Sequence, residues 1–331
     1  MKQKFTMAAL LAVLSVFASC TTMLEKAAWD NDVELAKKAL AEGEKIDEQK
    51  HIGLWASEQG SIDFLEFLLG QKYDFNYKND EGRTLLHGAV MLPGSSSKKD
   101  DVRQLYDNKI KATELLLKQK VDVNAVDSRG MTPLIEAVGG DFLRQLYKLK
   151  RQLTEITEKR KSIEFDKLAT IKERRENHKE LDRMVEEYER EVKRGDEKLA
   201  AVNSLQFPFD RMATMLLDAG AKTDPQEKLF SGIALHFAAL RDSSALIKVL
   251  TDKGANPNAP DINGDTPLHY ARNSQSVYNQ LIQAKADPKI ANKDLLTPYD
   301  MAAWRIDVWQ AAARGDTASV EEYLKLGGSI D

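Results

Sequence analysis

Asp261-Ile262-Asn263-Gly264-Asp265-Thr266-Pro267-Leu268-His269-Tyr270-Ala271 is the stretch on which the fold turns. Threonine accepts a backbone N–H at a helix start, and proline suits the first helical position because its φ is preset and its missing donor was unpaired anyway. Thr266-Pro267 therefore predicts the start of a helix. Gly264, just before it, supplies the positive φ of a tight turn. Leu268 and Ala271 share one side of that helix, and the small alanine lets a neighbouring helix come close.

Pieces of this pattern recur along the chain. Gly130-Met131-Thr132-Pro133-Leu134 repeats it with Ile135 in place of the histidine, and Gly82-Arg83-Thr84-Leu85-Leu86-His87 keeps all but the proline. Gly232-Ile233-Ala234-Leu235-His236 is a worn version, and Leu296-Thr297-Pro298-Tyr299 lacks the glycine. His236 and His269 lie 33 positions apart, Pro267 and Pro298 lie 31 apart. The spacing and the Thr-Pro-Leu-His core resemble ankyrin repeats, which run at about 33 residues. The resemblance implies an all-α solenoid of helix-turn-helix units with β-turn tips. It gives a structural role to Thr84, His87, Thr132, Pro133, His236, Thr266, Pro267, His269, Thr297 and Pro298, with the histidines tying adjacent turns by hydrogen bonds.

The second helix of each unit shows an apolar pair and a glycine stop, Leu216 and Leu217 before Gly220, Val249 and Leu250 before Gly254. Glycine just past the last turn is the usual left-handed cap. Two weaker units, Ala27 through Asp47 and Gln310 through Asp331, frame the array, giving about eight units in all. With no polar capping helix following Ile330-Asp331, the last unit is expected either to contact a partner or another copy through an open apolar face, or to be frayed.

Two insertions fall between the first and second helices of a unit. Residues 91–110 contain Pro93-Gly94-Ser95-Ser96-Ser97 and read as a polar loop. Residues 141–207 hold no proline, and no glycine before Gly195, while Leu146, Leu149, Leu153 and Ile156 recur at three- and four-residue steps and Val185, Tyr188 and Val192 continue the seam. Among dense Lys, Arg and Glu that spacing predicts an antiparallel coiled-coil hairpin turning between Ser162 and His178. The expected organisation is therefore a leader over 1–19, repeats over 20–140, the hairpin over 141–207 and repeats over 208–331.

Lys2 and Lys4, the apolar run Met7 to Phe17, and small Ala18 and Ser19 make up the leader. Phe17-Ala18-Ser19-Cys20 resembles the lipobox of bacterial lipoproteins, with Phe17 a less usual first residue. The resemblance implies cleavage before Cys20, a diacylglycerol on its sulfur and an acylated amine, which together anchor firmly where one chain holds marginally. The alternative is a plain secretory signal with a stray thiol. Thr21 rather than aspartate after the cysteine favours the outer membrane over the inner by the sorting rule of enterobacteria. The implied location is the periplasmic face of the bacterial envelope.

The 331 residues carry 48 basic and 52 acidic side chains, a formal charge of −4, so no overall basic field exists to hold nucleic acid. There is no Gly-x-Ser-x-Gly elbow, no His-Glu-x-x-His and no phosphate-cradling loop, and the one cysteine is the anchor. His178 among Glu173, Glu176 and Glu180 reads as a solvated helix face rather than a metal site. Neither metal nor cofactor is expected, and binding is favoured over catalysis. In ankyrin proteins contacts come from the tips and the exposed face of the first helices. By motif position that points to Asp80, Glu81, Arg83, Ser128, Arg129, Met131, Ile262, Asn263, Asp265, Tyr270, Lys293 and Asp294, with Tyr270 as the aromatic anchor. The expected role is an envelope scaffold for an unidentified protein. An immunity-type inhibitor of a periplasmic toxin or hydrolase is the alternative, and a divergent enzyme the third reading.

Overall fold

The computed structural model describes residues 22–91, 99–165, 180–187, 189–190, 207–302 and 321. The leader with Cys20, the Pro93–Ser97 stretch, Tyr188, Val192, His178 and the Gln310–Asp331 unit apart from residue 321 lie outside them. Among the described residues all regular structure is helical apart from one isolated bridge between Lys78 and Thr84. No described helix is long and apolar enough to cross a membrane.

The chain forms two compact units, one up to Ser128 and one from Arg129 onward. In the first, α1 (Met23–Asp30), α3 (Ile52–Gln59) and α5 (Leu85–Val90) pack side by side as first helices, while α2 (Val33–Ala41), α4 (Ile62–Leu69) and α6 (Lys99–Lys118) form the row of second helices. In the second, α7 (Pro133–Phe165), α9 (Ala234–Leu240) and α11 (Pro267–Tyr270) are the first helices, with α8 (Phe207–Asp218), α10 (Ser244–Asp252) and α12 (Gln275–Gln283) behind them. Helix starts follow their capping residues: Asp32 accepts from Leu35 at 2.9 Å, Ser243 from Leu246 at 3.3 Å and Ser274 from Val277 at 3.3 Å. Leu65, Leu85, Leu116, Leu216, Leu235, Leu250, Leu268 and Leu281 are fully buried between the rows.

Behind the tips that carry it, the motif histidine does what a threonine hydroxyl alone does not. His269 Nδ1 accepts the Thr266 N–H at 2.9 Å and lies 3.0 Å from the Thr266 hydroxyl, and its Nε2 donates to the Leu296 carbonyl of the next repeat at 3.1 Å. His236 repeats this with the Ile233 N–H and the Asp265 carbonyl, both at 3.1 Å. Ile233 has no hydroxyl to cap the helix, and there the ring answers only the Ile233 N–H. At Thr297 the carboxylate of Asp300 takes the place of the ring, accepting the Thr297 N–H at 2.8 Å and its hydroxyl at 2.6 Å.

Both insertions depart from their expected boundaries. Helix α6 begins at Lys99, inside the stretch expected to be loop, because Asp101 to Lys118 is a good helix-forming run with nothing to break it. Helix α7 runs 33 residues through Gly140 without a break, about 50 Å at 1.5 Å per residue, so the repeat helix and the outgoing arm are one rod. The Gly139-Gly140 pair does not stop it. A Cβ on Gly139 would lie 2.5 Å from the Phe237 ring, and one on Gly140 2.5 Å from Glu136, so both glycines answer close packing. Along the arm Ile156 is buried and Leu149 half-buried; on the returning helix Leu181, Met184 and Val185 are half-buried, and Lys159 meets Glu180 at 2.6 Å across the pair. The segment expected to hold the turn lies mostly outside the described residues.

Leu268→Ala is expected to destabilise the protein by about 2 to 5 kcal/mol through the cavity left in the stack. Thr266→Ala should cost nearer 1 kcal/mol, because His269 still holds the backbone N–H. Chemical denaturation of the three proteins compares them, and a larger loss for threonine contradicts this packing. Burial lowers the pKa of His236 and of His269 below the ordinary 6.5. The unfolded chain therefore takes up protons near pH 6.5 that the folded form resists, so the stability these rings contribute is complete above that pH and is lost below it. The urea midpoint should drop from about pH 7 to about pH 5, and drop less when both rings are replaced by glutamine.

Candidate functional site

Each tip is a tight turn built on one polar side chain that accepts its backbone donors. Asn79 Oδ1 accepts from Glu81 at 3.1 Å and Arg83 at 2.8 Å, Asp261 Oδ1 from Asn263 at 2.8 Å and Asp265 at 2.9 Å, and Asn292 Oδ1 from Asp294 and Leu296 at 3.0 Å. Glu227 serves the remodelled tip with Leu229 and Phe230. Neighbouring tips are then stitched backbone to backbone. In the first unit Ser128 donates to the Glu81 carbonyl at 2.7 Å. In the second, Lys228 donates to Arg129 at 2.9 Å, Ile262 to Phe230 at 2.6 Å and Lys293 to Asn263 at 2.9 Å. The tips therefore form rigid rows, a suitable base for recognition.

Of the residues placed here by motif, Asp80, Glu81, Ser128, Ile262, Asn263, Lys293 and Asp294 are exposed. Met131 is not. Only 1% of it is accessible, because the residue after the turn glycine points into the stack, and it is withdrawn as a contact residue. Arg83 is drawn inward to Glu58 at 3.0 Å, and Arg129 is half-buried beside Glu136. Asp265 accepts from Asn292 at 2.7 Å. Tyr270 works inward as well: its hydroxyl donates to Asp261 at 2.6 Å, its ring meets His236 edge-on at 5.7 Å, and burial raises its pKa. Its ring braces a tip more than it offers an anchor.

Motif position singled out Ile262 but not Leu295 and Leu296, the rest of the apolar part of this surface. Ile262 is 48% exposed, Leu296 42% and Leu295 84%. Leu295 has a φ of +62°, where the equivalent Gly264 has +79°. A leucine in the left-handed region gives up stability, and here its side chain stands almost fully in water. The missing glycine before Thr297 was the visible signal. In the first unit Trp29 is 55% exposed and meets half-buried Trp55 edge-on at 6.4 Å. Among the described residues no cluster of His, Cys, Asp or Glu is gathered to hold a metal ion.

Residues 200–292 match the family model described as ankyrin repeats (3 copies). The chain carries ankyrin repeats. Its ankyrin region is similar to the E3 ubiquitin-protein ligase KEG of Arabidopsis thaliana, 30% identical over 94 residues, covering 28% of this chain and 6% of that one. It is also similar to an ankyrin repeat protein of fowlpox virus, 31% identical over 104 residues, covering 29% of this chain and 30% of the viral one. The match thus spans under a third of either relative. Among solved structures, the complex of a predatory endopeptidase from Bdellovibrio bacteriovorus with an immunity protein superposes with a TM-score of 0.47 at 17% identity, covering 82% of this chain and 96% of that one.

Leu295→Gly is expected to raise stability by about 0.5 to 1 kcal/mol, since relief of the left-handed strain outweighs the extra freedom of glycine in the unfolded chain. Denaturant midpoints measure this, and a destabilised variant would show that the Leu295 side chain is packed rather than presented.

Proposed function

We propose that this ankyrin repeat protein is a lipid-anchored scaffold of the bacterial envelope that binds another protein through its tips and its projecting arm. Ankyrin repeats serve as protein-interaction modules, and the observation that carries the reading here is the exposed apolar group Ile262, Leu295 and Leu296 held on tips that backbone hydrogen bonds make rigid. The arm supports it. Its apolar seam is used between its own two helices, leaving charged outer faces that can steer a complementary partner. The anchor rests on the leader: Cys20 is the single cysteine and follows a short apolar run, which supports lipidation, the periplasmic face and the outer membrane.

One set of proteins tests this reading. Wild type should incorporate a fatty-acid analogue and retrieve a defined partner from native membranes; Cys20→Ser should lose the label, and replacement of 157–186 by a Gly/Ser linker, which leaves Arg144 and Tyr147 at the arm's base in place, should reduce retrieval several-fold. Equal labelling of wild type and Cys20→Ser removes the anchor, and undiminished capture by the shortened protein reduces the arm to an insertion. Envelope machinery as the partner supports the scaffold, whereas a secreted lytic enzyme makes the protein an inhibitor.

A further inference from the structure

Glu25 and Trp29 lie four residues apart on α1, and His51 and Trp55 lie four apart where α3 begins, so each pair sits one turn apart on a single face. The two helices are neighbours, and the pairs meet. Glu25 Oε1 is 2.6 Å from His51 Nε2, the indoles stand at 89° to one another, and the His51 ring lies 4.7 Å from Trp55. The four side chains form a lattice in which Glu25 and His51 hold one end and the two indoles the other. Trp29, with over half its surface in water, leaves much of a large apolar side chain unused by the fold. Asp30 beside it is exposed, and Glu25 closes the far edge.

The charge of this stretch is lopsided. Residues 22–91 hold fourteen acidic and eight basic side chains, a net of −6, although the whole chain is only −4. Such a field draws cations and repels anions. Indole faces attract cations by their quadrupole, tryptophan most strongly of the aromatics.

We infer that the Trp29–Trp55 patch seats a lysine or arginine side chain from a basic segment of the partner protein. The inference rests on the protein-binding role proposed above and gives the partner its chemistry. An anionic lipid surface is the other usual taker of exposed tryptophan, and the acidic field around Trp29 opposes it. The cation is drawn in by the field of the stack and then held against the Trp29 ring.

The test uses the full-length Cys20→Ser chain at about 0.15 M salt, where long-range attraction is screened. Three ten-residue peptides are titrated, with lysine, norleucine or glutamate alternating with Gly and Ser, and phosphatidylglycerol vesicles form a fourth arm; the indole N–H signals of Trp29 and Trp55 are read by NMR. The lysine peptide should shift both signals. Trp29→Ala should weaken its binding roughly three- to thirtyfold and Trp29→Phe less, with the denaturation midpoint unchanged. Equal binding of the norleucine peptide, undiminished affinity in Trp29→Ala, or signals moved by vesicles and not by the lysine peptide would each overturn the inference. Its failure is separable from failure of the binding role, since capture of the native partner by Trp29→Ala at full strength dismisses the cation site and leaves the scaffold standing.

Discussion

Behind each tip of the stack lies a set of backbone N–H donors removed from water, and a buried side chain that answers them. An unanswered donor there costs about 1 to 3 kcal/mol, a large share of the stability of a typical domain. The imidazole of His269 meets the demand twice, accepting the Thr266 N–H on one nitrogen and donating to the next repeat's Leu296 carbonyl from the other. The same ring thus finishes one repeat and sets the position of its neighbour. Asp300 manages the first task with its carboxylate and cannot donate as an anion. The remaining tip geometry follows from this tie: the stitched backbones, the buried leucines behind them and the outward side chains in front.

The arm is joined to the stack more intimately than an insertion in a loop would be. Helix α7 carries the repeat's Leu134 at one end and the arm's Ile156 further along, both buried. Near its base Glu136 is fully buried and paired with Arg144 on the arm side and with Arg129 at the tip, 3.7 Å away. Tyr147, further along the arm, reaches both the Arg129 carbonyl and the Glu227 carboxylate at 3.4 Å. A buried carboxylate needs such partners, and removing one is costly. Arm, helix and two tips therefore share one polar cluster, so a load on the arm bears on the tips beside it.

The outward surface divides by chemistry. The tips of the second unit offer Ile262, Leu295 and Leu296 beside Lys293 and Asp294, an apolar group with a mixed polar rim. The first helices of the other unit offer perpendicular indoles in an acidic stretch. Apolar leucines select by shape and burial, and indoles in a negative field select by charge, so the two surfaces ask different things of a partner.

Much was legible in the residues because it is local. Thr-Pro places a helix start, glycine a left-handed turn, and a period near 33 residues a stack, each by short-range stereochemistry that no distant contact overrides. The seam of Leu149 and Ile156 likewise foretold a paired arm, since periodicity states which face is apolar. What only the tertiary structure decided are matters of approach and exposure. Motif position put Met131 among contact residues, whereas the turn sends it inward, and it put Tyr270 outward, whereas Asp261 and His236 hold it. The boundary expected at residue 140 is absent from α7, and the glycine at 139 answers the close approach of the Phe237 ring. Trp29 and Trp55, 26 positions apart, belong to no repeat signature, and only the packing of α1 on α3 makes them one surface. Sequence specifies what each residue can do locally, but which side chains remain in water depends on what the rest of the chain brings against them.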